Sequence, residues 1–117
     1  MTKKEIKTTV KKWQNILGLN NWDIILTSVK SDKKPKAGSF VTAMTTVCYP
    51  DYCVAKIRAE RPKIIQEGDI VHELVHVITS ELTEYAYPVA KNKRKWFDYL
   101  EERVVSQLAQ IMMRLYE

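Results

Sequence analysis

Residues 68–78 decide how this chain folds; they read Gly68-Asp69-Ile70-Val71-His72-Glu73-Leu74-Val75-His76-Val77-Ile78. At 100° per residue around a helix axis, three apolar side chains lie within about 60° of Leu74: Ile70, Val71 and Ile78. The two histidines, His72 and His76, lie about 160° away from it. This periodicity predicts an amphipathic helix over about 69–82 whose apolar side faces the core and whose histidines face solvent or a cleft.

The segments before this helix predict one further helix and three strands. Thr2 and Glu5 have the spacing of a capping box, and Gly18 follows the last apolar residue, so a helix is expected over 3–17. Three stretches rich in β-branched and aromatic residues predict strands at 22–29, 39–49 and 52–59. The third strand carries Lys56 and Arg58 on one face, which is typical of an edge strand.

The segments after it predict a loop and a long helix. Residues 83–90 contain Pro88 and are expected to be a loop, and a last helix is expected over about 91–116. Its predicted inward stripe is Trp96, Phe97, Leu100, Val104, Leu108, Ile111 and Leu115. The fold class is therefore α+β: an N-terminal helix, a small three-stranded, mostly antiparallel sheet, then two helices, in a single domain over 1–117.

Composition narrows the class of protein. The chain has 117 residues, of which 45% are hydrophobic and 28% charged, which is typical of a globular protein. No apolar run approaches the roughly 20 residues of a membrane span, and no apolar segment follows the charged N-terminus as in a secretory signal. Two cysteines, Cys48 and Cys53, are expected to be small, partly buried residues of a reducing cytosol, so a cytoplasmic location is expected.

His72, Glu73 and His76 form an HExxH motif and are the only residues with a strong chemical signature. Histidines four apart on a helix lie one turn apart on the same face, so both imidazoles can bind one Zn²⁺. Glu73 then lies beside the metal, where it can accept a proton from a zinc-activated water. We therefore predict a zinc site with Glu73 as the general base.

A third protein ligand is needed, and the chain has no other histidine. The last predicted helix offers Glu101 and Glu102. Measured from Val104, Glu101 lies about 60° away, at the margin of the apolar stripe, and Glu102 about 160° away. The stripe favours Glu101, but the two histidines lie equally far from their own stripe, so both glutamates stay candidates.

The motif and its surroundings resemble the gluzincin type of metallopeptidase. More narrowly, the chain resembles small HExxH metallopeptidase-like proteins of phages and prophages, related in layout to the ImmA/IrrE and SprT-like groups. The resemblance covers most of the chain: residues 17–24, the three strands, the HExxH motif and residues 101–109. In the ImmA/IrrE group the third ligand opens an E-x-x-A-x-x-F-A pattern, and residues 102–109 fit that register.

The resemblance implies Glu102 as the third zinc ligand and implies peptide-bond hydrolysis with Glu73 as the base. It also implies a peptide or protein substrate lying extended along the edge strand before the motif helix, which is expected at residues 52–59. Tyr85, Tyr87 and Tyr99 are candidates for stabilising the oxyanion.

Two other functions stay open from the sequence. One is a non-catalytic zinc-binding module of binding or assembly type, although the presence of Glu73 argues against it. The other is a basic nucleic-acid-binding domain, since the net charge is +5 and lysines cluster at Lys30–Lys36 and Lys91–Lys95. No recognisable nucleic-acid-binding motif supports the second, and the oligomeric state is left open.

Overall fold

A computed structural model describes residues 1–28 and 43–116 of the chain. The lysine cluster Lys30–Lys36 and the first four residues of the predicted strand at 39–49 lie outside the described residues. The first helix, α1 (Lys3–Ile16), begins at the predicted capping box, in which Thr2 and Glu5 exchange side-chain and backbone hydrogen bonds. It buries Ile6, Val10 and Trp13 in the core, as its periodicity predicts.

The sheet has three strands, β1 (Asp23–Ser28), β2 (Met44–Tyr49) and β3 (Val54–Ala59), in the spatial order β1-β3-β2. β3 pairs parallel with β1 and antiparallel with β2, so the sheet is mixed where mostly antiparallel pairing was predicted. The expectation that residues 52–59 form an edge strand is wrong, because β3 is central. Lys56 and Arg58 lie on the exposed face of the sheet, and a period-two charge pattern marks an exposed face without revealing an edge.

The motif helix, α2 (Glu67–Ala90), is longer than predicted. It includes the residues 83–90 that were expected to form a loop. Pro88 lies inside the helix only two residues before its end, where a missing backbone N–H removes one hydrogen bond. A short 3₁₀ turn, Lys91–Lys93, connects α2 to α3 (Arg94–Leu115), and this short connection makes the two long helices an antiparallel pair.

The orientation of α3 differs from the prediction. Its buried residues are Val105 and Ala109, whereas four members of the expected inward stripe are 41–70% exposed: Val104, Leu108, Ile111 and Leu115. Trp96, expected in the core, is also exposed, while Trp13 is buried and Trp22 packs against the core. The helix is therefore turned by about 100° from the expected orientation.

The α+β architecture is as predicted: an N-terminal helix, a three-stranded sheet and two long helices. One face of the sheet packs against α2, and the core comprises residues of α1, β2, β3, α2 and α3. Within residues 1–28 and 43–116, none of the helices has the length and apolar character that crossing a bilayer requires. The polar side of α2 stays outside this core and faces a cleft.

Candidate metal centre and its cleft

The cleft lies over the polar side of α2, with β2 and α3 as its walls. Its volume is about 1030 Å³. The floor is formed by α2 residues that recur three or four apart, as expected for one face of a helix: His72, Glu73, His76, Ser80, Thr83, Glu84 and Tyr87. Because the opposite face of α2 carries Ile70, Val71 and Leu74 into the core, burial of those side chains fixes which side of the helix lines the cleft.

His72 and His76 direct the same ring nitrogen toward one carboxylate. Their Nε2 atoms are 3.2 Å apart. One oxygen of Glu102 lies 2.5 Å from Nε2 of His72, and the other lies 3.1 Å from Nε2 of His76. The structure thus brings three nitrogen and oxygen donors from two helices to one point.

Glu101 contacts the other side of the His76 ring. Its Oε1 atom lies 2.9 Å from Nδ1 of His76 and accepts a hydrogen bond of 2.9 Å from Oγ1 of Thr79. Donation from Nδ1 leaves Nε2 of His76 free to act as a ligand. Glu101 and Glu102 therefore have different environments, although each is in reach of a histidine.

These contacts shift the pKa values of the pair. Burial lowers the pKa of His76, but the hydrogen bond to Glu101 and the nearby carboxylates outweigh burial and raise it above the usual 6.5. Burial raises the pKa of Glu101, while the hydrogen bond and charge of His76 outweigh that effect and lower it. Both shifts mean that the charged forms, protonated His76 and ionised Glu101, are favoured when no cation is bound.

Glu73 lies beside the histidines and is held by the edge strand. Oγ1 of Thr46, on β2, donates a hydrogen bond of 2.5 Å to Oε2 of Glu73. Burial raises the pKa of Glu73, against the hydrogen bond from Thr46 and the two histidines. A carboxylate with a raised pKa and one oxygen already bonded has the other oxygen available for proton transfer.

The three tyrosines that are candidates for stabilising the oxyanion lie in different surroundings. Of the three tyrosines, only Tyr87 lines the cleft; it lies about three turns from His76 along α2, and its hydroxyl donates to Asp98 over 2.6 Å. That bond raises the pKa of Tyr87 to about 12. Tyr85 and Tyr99 are exposed, 74% and 64%, and are not among the cleft residues.

The cysteines fit their prediction as partly buried and free. Cys48 lines the cleft from β2, where burial raises the pKa of its thiol to about 11. It is therefore a neutral thiol near pH 7. In the lysine cluster Lys91–Lys95, residues 92–95 are exposed, as expected for the solvated start of the last helix.

Two contributors to the site, Thr46 and Thr79, were missed from the sequence. Thr79 follows His76 by three residues, a spacing that places both on one helix face and could have identified it. Thr46 has no such signal, since its approach to Glu73 depends on how β2 packs on α2.

Comparison with protein-family models, with curated proteins and with solved structures finds no match to this chain.

Proposed function

We propose that this protein is a zinc-dependent metallopeptidase in which His72, His76 and Glu102 hold the metal and Glu73 is the general base. The observation that carries the proposal is the convergence of both histidine Nε2 atoms on the Glu102 carboxylate. Glu101, the rival for third ligand, contacts Nδ1 of His76 instead and has a supporting role. The resemblance to small HExxH metallopeptidase-like proteins agrees with this proposal.

The donor set suits zinc. Two imidazoles and one carboxylate, with one position left over, are a common set for catalytic zinc. Two donors about 2.05 Å from a tetrahedral ion are separated by about 3.3 Å, and the two Nε2 atoms are 3.2 Å apart. The three donors and Glu73 all line the same cleft, so the position left over opens to a substrate.

Zinc held there would supply Lewis-acid chemistry, polarising a peptide carbonyl and making water a stronger nucleophile. Glu73 would accept the proton from the attacking water and donate it to the departing amine. Thr46 would keep one Glu73 oxygen engaged, so that the other is directed to the reaction. Glu101 and Thr79 would hold the His76 ring in one orientation.

The outer edge of β2 is the proposed docking position for the substrate. Among the described strands, β3 is paired on both sides, whereas β2 is paired on one side only and also lines the cleft. An extended peptide could pair with β2 and pass over the histidines. The proposed docking strand is therefore Met44–Tyr49, in place of the expected residues 52–59.

The test combines zinc content with peptide cleavage. Wild-type protein should contain about one zinc per chain by elemental mass spectrometry, and His76→Ala and Glu102→Gln should lose it. Glu73→Gln should keep the zinc and serve as the inactive control for cleavage of a degenerate peptide library, mapped by mass spectrometry. Wild-type protein with zinc but no cleavage beyond Glu73→Gln would leave a non-catalytic zinc protein, and absence of zinc would reject the proposal.

A further inference from the structure

The cleft continues well past the proposed metal centre. From His72 to Tyr87 its floor runs along 15 residues of α2, or about 22 Å. At about 3.3 Å per residue, an extended peptide of six or seven residues fits that length. The end away from the histidines is lined by Thr83, Glu84, Tyr87 and Asp98.

This cleft is acidic, although the chain carries a net charge of +5. Among residues 1–28 and 43–116, five carboxylates line it and no lysine or arginine does: Glu73, Glu84, Asp98, Glu101 and Glu102. A bound zinc ion would add two positive charges and leave three negative charges uncompensated, with both histidines neutral. The metal centre accounts for three of these carboxylates, but it does not account for Glu84 and Asp98.

Glu84 and Asp98 have no cationic partner within 4 Å among the residues that the structure describes. Asp98 accepts one hydrogen bond, from Tyr87, and Glu84 is exposed without a polar partner in the same residues. Arg94, four residues before Asp98 on α3, stacks over the Tyr87 ring at 4.4 Å and is not among the residues that line the cleft. In a protein with 19 lysines and arginines, two carboxylates in a cleft are thus left open to a ligand.

We infer that the cleft selects extended peptides with a lysine or arginine side chain, which binds between Glu84 and Asp98. This inference rests on the proposed function, because it places the peptide by its scissile bond at the histidines. Glu84 follows His76 by eight residues, or about 12 Å along α2. The basic side chain therefore belongs three or four residues from the scissile bond. The outer edge of β2, which no described strand covers, would supply backbone pairing, and the two carboxylates would supply charge complementarity.

Binding can be tested separately from cleavage. The probes are two fluorescein-labelled decapeptides of alanine, serine and valine, one with two lysines and the other with two glutamates at the same positions. Fluorescence anisotropy measures their binding to zinc-loaded Glu73→Gln protein. We expect the lysine peptide to bind about tenfold more tightly at low salt, with a smaller ratio at high salt. The overall charge of the protein favours the glutamate peptide, so this preference would have to come from the cleft.

Variants then locate the preference. Glu84→Gln with Asp98→Asn should abolish it, whereas Asp23→Asn with Glu81→Gln, which removes the same charge from exposed positions outside the cleft, should keep it. Equal binding of both peptides, or a preference that survives Glu84→Gln with Asp98→Asn, would overturn the inference. Library cleavage without enrichment of basic residues would overturn it while leaving the peptidase intact. A lysine preference without Glu73-dependent cleavage would instead reject the peptidase and keep the peptide-binding cleft.

Discussion

Glu101 and Glu102 are neighbours in sequence, yet their carboxylates face different nitrogen atoms. Glu102 lies against Nε2 of both histidines, while Glu101 bonds to Nδ1 of His76. Residues adjacent on a helix are 100° apart, so a helix that crosses α2 can place one on each side of the same imidazole ring. This arrangement gives the two residues separable roles in metal binding.

We expect Glu101→Gln to retain zinc with an affinity about 10–100-fold weaker than that of wild type, because an orienting contact is weakened while all three ligands remain. Glu102→Gln removes a ligand and should leave no zinc at equimolar metal. Competition against a chromophoric chelator measures both. If Glu101→Gln were the variant that loses zinc and Glu102→Gln the one that keeps it, the two roles would be reversed.

The metal-free protein should lose stability as pH rises through the range in which His76 titrates. The pKa of His76 is raised above 6.5 in the folded state, so between 6.5 and that higher value the folded chain binds more protons than the unfolded chain. The stabilising contribution is complete below about pH 6.5 and disappears above the folded pKa. Urea unfolding in EDTA at pH 6, 7 and 8 measures the decline.

Glu101→Gln should reduce this decline, because the hydrogen bond from His76 to a charged partner is the main favourable cause of the shift. Burial also raises the pKa of Glu73, but that contribution is present in both proteins and leaves their difference unaffected. Glu81→Gln, on an exposed part of α2, is the control and should behave like wild type. An identical pH dependence in wild type and Glu101→Gln would contradict the assigned cause.

At the scale of elements, the hydrophobic pattern predicts which side of α2 is buried, but it does not predict the buried side of α3. In α2 the predicted apolar side is buried at Ile70, Val71 and Leu74, although Ile78, one turn further on, is 48% exposed. In α3 two stripes compete: Val104, Leu108, Ile111 and Leu115 are more apolar than the buried pair Val105 and Ala109. The hydrophobic pattern therefore indicates the wrong side of α3, and the choice between Glu101 and Glu102 needs the packed structure.

The two halves of α2 should respond differently to truncation of a leucine. Leu74 is fully buried, so Leu74→Ala should lower the free energy of unfolding by about 2–5 kcal/mol. Leu82, where the helix was expected to end, is 70% exposed. Leu82→Ala should therefore change the free energy of unfolding by less than about 0.5 kcal/mol. Chemical denaturation of both variants measures the difference. A comparable loss in Leu82→Ala would mean that this half of α2 is covered in solution.

At the scale of the molecule, the sequence predicts the layers but leaves their assembly open. Charges on alternate residues of β3 fit a strand with one exposed face, and only the pairing with both β1 and β2 places it at the centre. That order places β2 at the edge of the described sheet, and Thr46 of β2 donates a hydrogen bond to Glu73. The cleft therefore depends on sheet order and on the rotation of α3, which are both set by long-range packing.

Zinc should stabilise the whole chain because its proposed ligands come from both long helices. His72 and His76 lie on α2 and Glu102 on α3, so an ion bound to all three favours the folded state alone. Zinc at about 100 times its Kd would add about 2.7 kcal/mol, which for a chain of this size corresponds to a Tm increase of about 10 °C. Differential scanning fluorimetry with zinc and with EDTA measures the change, and magnesium serves as the control ion. His76→Ala should abolish the increase, and an equal increase in wild type and His76→Ala would show that zinc binds elsewhere.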